Sequence, residues 1–182
     1  IEPYNIFSHM FAAMGFGQLS LATGNDEYAD IAKKTFDVIL ARMDNPKDRW
    51  NKTHPGTRDL KTLSLPMILC NLSLEIEHLL DREYIEKIMN HCVHEVMEVF
   101  LRPELGGIVI ENVHKDGSLS DSFDGRLVNP GHSLEAMWFI MDLAARLNRK
   151  DLIEKAVKTT LTMIEYGWDE KYDGIFYFMD RK

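Results

Sequence analysis

Apolar residues recur at steps of three and four along most of the chain, the spacing of one face of an α-helix. The pattern predicts six helices, over residues 4–22, 26–44, 60–80, 82–101, 131–148 and 150–167. A polar loop with Pro46, Pro55 and Gly56 separates the second helix from the third. Segments 106–113 and 174–178 are rich in β-branched or aromatic residues and predict short strands beside turns.

The helices form an internal repeat of three hairpins. In each hairpin an apolar first helix is joined to a more charged second helix, through short polar links near Gly24, Asp81 and Asn148. Helices that are apolar nearly all round lie inside a structure, and charged helices shield them from water. This arrangement predicts an all-α toroid of helical hairpins with short β-hairpins in the loops. We expect residues 1–182 to form a single, partial α/α-barrel domain.

Three hairpins make only half of a closed six-hairpin ring. A half ring exposes apolar edges, at a cost of about 25 cal/mol per Å² of apolar surface. The chain also begins with Ile1 rather than Met. These features predict an excerpt of a chain about twice as long, or a ring that closes by pairing with another chain, so a homodimer is a candidate assembly.

Composition excludes several classes of protein. The chain has 182 residues, of which 45% are hydrophobic and 10% aromatic, which excludes a disordered chain. No apolar run approaches the ~18 residues that cross a bilayer, so no membrane partner is expected. A formal net charge of -8 argues against nucleic-acid binding. Cys70 and Cys92 form no disulfide framework, and the first residues lack a basic region followed by an apolar one, so we expect no signal peptide and a cytoplasmic location.

The sharpest candidate for chemistry lies at the start of the fifth helix. Pro130-Gly131 forms a turn, His132 lies in the first helical turn, and Glu135 follows at i+3 on the same face. A helix N-terminus disfavours the imidazolium, so we expect His132 to be neutral and able to accept a proton, with Glu135 orienting the ring or binding a substrate hydroxyl. The alternative is a capping or core histidine, with Glu135 closing a capping box.

Residues 126–139 read Arg-Leu-Val-Asn-Pro-Gly-His-Ser-Leu-Glu-Ala-Met-Trp-Phe. This stretch resembles the Asn-Pro-Gly-His-x-x-Glu-Ala-x-Trp-Phe signature of the N-acylglucosamine 2-epimerase family, called renin-binding protein in mammals. Segments 65–72, 110–113 and 168–178 resemble further motifs of that family in the same order. The resemblance covers almost the whole chain, and this agreement favours a catalytic over a structural His132.

The resemblance implies an (α/α)6 barrel that interconverts N-acetylglucosamine and N-acetylmannosamine by proton transfer at C2 of the ring-opened sugar. Histidine, with an ordinary pKa of ~6.5, suits such a reaction. The resemblance further implies that His132 is one of two acid/base residues, supported by Glu135. The second histidine would lie beyond Lys182, so we expect the isolated chain to be inactive. No cofactor is implied, although ATP is an allosteric activator of family members.

Three further residues are candidates for binding the sugar. Pro66-Met67 follows the N-acylglucosamine branch of the family, and His9 stands where that branch has Asp. Arg126, six residues before His132, is expected to bind substrate hydroxyls or the enolate, or else to form a loop ion pair. Two other functions remain open: an aldose–ketose isomerase or cellobiose-type 2-epimerase on the same scaffold, and a non-catalytic binding protein.

The other histidines give weaker signals. His91, His94 and Glu95 have helical spacing that suits a metal, and Cys92 lies beside them. They belong to a charged second helix, and zinc requires three or four converging ligands, so we expect a solvated outer face and no metal site. The remaining histidines indicate no function: His54, His78 and His114.

Overall fold

The computed structural model describes residues 5–43 and 59–182. The polar loop with Pro46, Pro55 and Gly56, the neighbouring His54, and the first residue of the predicted first helix, Tyr4, lie outside the described residues. The α-helices are α1 (Ile6–Thr23), α2 (Asp26–Arg42), α3 (Ser64–Glu75), α4 (Arg82–His94), α5 (Pro130–Arg146) and α6 (Lys150–Gly167). No helix within the described ranges is long and apolar enough to cross a membrane.

Internal contacts group the chain into two compact units. Unit 1 comprises Ile1–Arg58 and Asn71–Ile88, and unit 2 comprises Asp59–Cys70 and Met89–Lys182. The boundaries between the units therefore fall within α3 and α4. The single domain over residues 1–182 stays a prediction.

In unit 1, α1 and α2 pack against each other as a helical hairpin. Gly24 ends α1 at φ 67°, a left-handed conformation that glycine adopts without steric cost, and its N–H donates to the Ser20 carbonyl at 2.8 Å. Asn25 then caps α2, because its side chain accepts from the Glu27 N–H at 2.9 Å. Met10 and Phe36 are fully buried in this hairpin.

The surroundings of two glycines in α1 predict opposite effects of substitution by alanine. A Cβ at Gly17 would lie 2.8 Å from Cγ2 of the buried Ile76, whereas a Cβ at Gly15 would meet no heavy atom within 4 Å. Gly17→Ala is expected to lower the free energy of unfolding by about 1–3 kcal/mol through overpacking. Gly15→Ala is expected to raise it by about 0.5–1 kcal/mol because alanine favours the helix. Chemical denaturation of the intact protein measures both, and equal effects would contradict the packing at Gly17.

Unit 2 contains the α5–α6 hairpin and the strands within the described residues. The strands are β1 (Leu60–Thr62), β2 (Leu101–Arg102), β3 (Ile108–Val109), β4 (Asn112–His114), β5 (Leu127–Val128), β6 (Trp168–Asp169), β7 (Gly174–Ile175) and β8 (Met179–Asp180). They pair antiparallel as β1–β4, β2–β3, β5–β8 and β6–β7. The second and fourth pairs are short hairpins of the predicted kind, whereas the other two join distant segments.

Two helices differ from their predicted bounds. The predicted helix 60–80 begins instead with β1, because Lys61 pairs with Val113 of β4, and the α-helix starts only at Ser64. The predicted helix 82–101 is α-helical to His94 and then widens into a π-helix over Glu95–Phe100. Sequence periodicity detects neither the long-range strand pairing nor the change in helix type.

Candidate functional site

The start of α5 is fixed by the residues just before the histidine. Asn129, 3% exposed, caps the helix, because its side-chain oxygen accepts from the backbone N–H of His132 at 3.0 Å. Pro130 occupies the first helical position, where its fixed φ suits the helix and its missing N–H costs no hydrogen bond. The Ser133 hydroxyl donates to the Asn129 carbonyl at 3.0 Å and lies 3.3 Å from the Val109 carbonyl. His132 is therefore held in the first turn.

A glutamate from another part of unit 2 meets this histidine. Glu111 lies between β3 and β4, and its backbone N–H donates to the Leu127 carbonyl at 3.1 Å. Its own carbonyl accepts from the Leu63 N–H at 2.9 Å. The Glu111 side chain is 12% exposed. Backbone hydrogen bonds to two other segments therefore fix the position of this carboxylate.

The two side chains form a close pair. Nδ1 of His132 lies 3.0 Å from Oε1 and 3.1 Å from Oε2 of Glu111. The His132 side chain is 38% exposed, so part of the ring reaches solvent. The alternative of a histidine buried in the core is therefore not what the structure shows. A partly exposed imidazole held by a nearly buried carboxylate is an arrangement suited to proton transfer.

The pair raises the pKa of His132 above its ordinary value of 6.5. The hydrogen bond to Glu111 is the largest cause, burial acts in the opposite direction, and the negative charges of Glu111 and Glu135 add to the rise. The prediction that the helix N-terminus keeps the ring neutral is therefore wrong in direction. The adjacent carboxylate stabilises the imidazolium more than burial destabilises it.

This shift predicts a pH dependence of stability. A raised pKa in the folded state means that the pair stabilises the fold fully below the unfolded value of ~6.5, and that this contribution is lost as pH rises through the folded pKa. The difference in unfolding free energy between the protein and His132→Gln is therefore expected to shrink as pH rises. Denaturation at a series of pH values measures this difference. A constant difference would contradict the ion pair.

Glu135 does not orient the ring, contrary to expectation. It is half-buried on the same helix, and its charge raises the pKa of His132 less than the hydrogen bond and the charge of Glu111 do. The orienting hydrogen bond comes from Glu111 instead. Reasoning from local spacing missed Glu111 because it lies 21 residues before the histidine. The available signal was an acidic residue inside the otherwise apolar stretch 108–113.

Arg126 forms the loop ion pair that the sequence left open. It ends a 3-10 turn, its Nε donates to the Asp180 carboxylate at 3.0 and 3.1 Å, and its Nη1 donates to the Asp121 carbonyl at 2.7 Å. The backbone N–H of Lys182 and the Arg126 guanidinium hold the pKa of Asp180 below its ordinary value. These contacts join the turn to β8, and a role for Arg126 in binding substrate stays a prediction.

The structure corrects the expectation that Met67 binds the sugar. The side chain lies in α3 and is only 2% exposed, among other buried apolar residues of that helix such as Leu69 and Leu72. A thioether so fully enclosed does not contact a dissolved ligand in this conformation. Met67 is therefore a core residue of this structure and not part of an open sugar site.

His9 lies in unit 1 on α1 and is half-buried. Its Nδ1 lies 2.8 Å from Nη1 of Arg42 at the end of α2. A guanidinium can only donate, so Nδ1 of His9 is the acceptor in this contact. The structure thus gives His9 a partner within the α1–α2 hairpin, and its role in binding substrate stays a prediction.

Comparison with known proteins identifies the family. The sequence profile described as N-acylglucosamine 2-epimerase matches residues 2–182. The chain belongs to the N-acylglucosamine 2-epimerase family. It is 32% identical over 181 residues to N-acylglucosamine 2-epimerase from Rattus norvegicus and 29% identical over 180 residues to that from Homo sapiens. Each alignment covers 96% of this chain and 42% of the relative, so the chain spans less than half the length of these curated relatives.

Solved structures of sugar enzymes show the same fold as this chain. A cellobiose 2-epimerase from Bacillus thermoamylovorans superposes with a TM-score of 0.78 at 14% identity, over 96% of this chain and 48% of that protein. A D-mannose isomerase superposes with a TM-score of 0.70 at 14% identity, over 97% of this chain and 49% of that protein. These likenesses confirm the predicted fold class, that of the (α/α)6 barrels.

The remaining candidates in this member of the N-acylglucosamine 2-epimerase family are the two histidines of α4, Glu95 and the two cysteines. His91 and His94 are exposed on α4, and the Glu95 carboxylate pairs with Nζ of Lys61 at 2.6 Å. Within residues 5–43 and 59–182, no three His, Cys, Asp or Glu side chains converge as metal ligands.

Burial raises the pKa of the Cys92 thiol to about 12 and also raises that of Cys70. Burial therefore disfavours the reactive thiolate form of both cysteines.

Proposed function

We propose that the protein containing this chain is a sugar 2-epimerase that interconverts N-acetylglucosamine and N-acetylmannosamine. The observation that supports this most directly is the half-exposed His132 ring, hydrogen-bonded to Glu111 at the start of α5. Membership of the N-acylglucosamine 2-epimerase family supports the reaction class. The identity to the rat enzyme, 32%, supports the N-acetylated sugar as substrate.

The proposed reaction moves one proton at one carbon. In the ring-opened sugar, the C2–H bond lies next to the C1 aldehyde, so its electron pair can delocalise onto O1 when a base takes the proton. His132 is one acid/base group, and reprotonation of C2 on the opposite face gives the epimer. A second acid/base group is needed on that face, and we propose that it comes from the part of the protein that this chain does not span.

Several properties of the whole protein belong to the same proposal. The reaction involves no net oxidation, so it needs no redox cofactor, and ATP would act only as an allosteric activator. We further propose a cytoplasmic protein, because no disulfide joins the buried Cys70 and Cys92, and a homodimer as the assembly. We expect residues 1–182 alone to be inactive for want of the second acid/base group.

Proton NMR of the intact protein in D₂O tests the proposal. The substrates are N-acetylglucosamine, N-acetylmannosamine, cellobiose and mannose, each followed for deuterium at C2 and for its product. Interconversion of the two N-acetylated sugars with deuterium uptake is the expected result. A ketose product would indicate an aldose–ketose isomerase instead of an epimerase. Exchange in cellobiose alone would indicate that cellobiose, and not an N-acetylated sugar, is the substrate. Binding without exchange in any sugar would indicate a non-catalytic binding protein.

A further inference from the structure

We propose that Glu111 is a positioning residue that keeps the proton of the neutral His132 ring on Nδ1 and so leaves Nε2 as the atom that exchanges a proton with the sugar. This inference rests on the proposed function for the identity of the reaction. The hydrogen-bond geometry of the pair supports the tautomer independently of any substrate.

The first step of the argument is the chemistry of the two partners. An ionised carboxylate can only accept hydrogen bonds, and both Glu111 oxygens lie within 3.1 Å of Nδ1. Nδ1 of His132 must therefore carry a hydrogen to make this contact. A neutral imidazole carries only one ring hydrogen, so the lone pair is on Nε2. Among the described residues, none hydrogen-bonds Nε2, and the ring is 38% exposed.

The second step is the rigidity of the carboxylate. Glu111 is only 12% exposed, and its backbone is hydrogen-bonded to Leu63 on one side and Leu127 on the other. The next residue, Asn112, donates from its side chain to the Asp124 carbonyl at 2.9 Å. The Asn129 cap holds the backbone N–H of His132. Both partners are thus fixed by the backbone of unit 2, so that the orientation of the ring does not depend on a bound sugar.

The third step is the charge. When Nε2 takes a proton from C2, the ring becomes an imidazolium, and the Glu111 carboxylate stabilises that cation through the same hydrogen bond. Glu111 and Glu135 are the charged groups that act on the ring, and Glu111 has the larger effect. Glu111→Gln keeps the shape of the side chain but removes the charge, and its amide nitrogen can also donate to Nδ1. The variant therefore favours the wrong tautomer and a less basic ring.

The matched variants Glu111→Gln and Glu95→Gln of the intact protein test this inference. Glu95 is a suitable control because its side chain is 13% exposed and it also pairs with a cation, Lys61. Glu111→Gln is expected to lower kcat by about 10²–10⁴-fold with little change in KM, because a ring in the wrong tautomer no longer acts as a positioned acid/base group. The acidic limb of the pH profile of kcat should move to lower pH in Glu111→Gln. Glu95→Gln should keep the kcat and the pH profile of the parent.

Nitrogen-15 NMR of His132 gives a readout that needs no substrate. In the unmodified protein the neutral ring should show a protonated Nδ1, and Glu111→Gln should shift it toward a protonated Nε2 with a lower pKa. A neutral ring protonated at Nε2 in the unmodified protein would overturn the inference, as would a Glu111→Gln profile equal to that of Glu95→Gln. If Glu111→Gln does not fold, Glu111→Asp is expected to give a smaller shift in the same direction. If no sugar is turned over, the proposed reaction fails while the NMR result still decides the role of Glu111.

Discussion

His132→Gln in the intact protein is expected to slow deuterium exchange at C2 of N-acetylglucosamine by about 10²–10⁴-fold, the range over which a positioned acid/base group contributes. Glutamine has a side chain of similar size but no group that titrates near neutral pH. The variant therefore removes the proton acceptor while it leaves most of the packing in place. Single-turnover exchange in D₂O, measured by proton NMR, gives the rate directly.

The hydrogen bonds at the start of α5 indicate that His132→Gln should lose activity without losing the fold. The Asn129 cap bonds the backbone N–H of residue 132, not its side chain, so the start of α5 should survive the substitution. His91→Gln is the matched control, because His91 is exposed on α4. We expect the control to exchange at the parent rate. If His132→Gln exchanged C2 hydrogen at the same rate as His91→Gln, His132 would not be an acid/base group of the reaction.

Local sequence patterns predicted the fold well where neighbouring residues determine it. The predicted bounds of α6, 150–167, agree with the observed helix, and those of α5 differ by one or two residues. Amphipathic periodicity and a capping residue are local properties, and they suffice for these helices. The start of α3 was missed because Leu60–Thr62 pairs with β4, a contact between residues about fifty positions apart. No local pattern encodes that partner.

The candidate site shows the same division between local and distant information. His132 follows Asn129-Pro130, a local capping sequence, and it was identified from the sequence. Its partner Glu111 reaches it only through the folding of the β3–β4 segment, so the i+3 neighbour Glu135 was given the orienting role instead. Met67 was assigned by resemblance to a branch of the family, which carries no information about burial, and the structure places it in the core.

Gly125→Ala is expected to lower the free energy of unfolding by about 3 kcal/mol, the upper end of the usual cost of overpacking. A Cβ at Gly125 would overlap Cβ of Ser120 and would lie 2.5 Å from the Ser120 carbonyl oxygen and 2.7 Å from its hydroxyl. Two of these are backbone or Cβ atoms, so rotation of a side chain cannot relieve the clash. Chemical denaturation of the intact protein measures the loss, with Gly174→Ala as control because a Cβ there meets no heavy atom within 4 Å.

Gly125→Ala should also disturb the contact between Glu111 and His132, because the effect is transmitted through the backbone. Gly125 precedes β5, and the Leu127 carbonyl in that strand holds the backbone N–H of Glu111. A turn that shifts to admit the extra methyl group displaces this partner, so C2 exchange should fall together with stability. Ser120→Gly in the Gly125→Ala background removes the Cβ and the hydroxyl but leaves the carbonyl oxygen, and it should therefore restore both properties only in part. Full stability in Gly125→Ala alone would show that the turn has room that the structure does not give it.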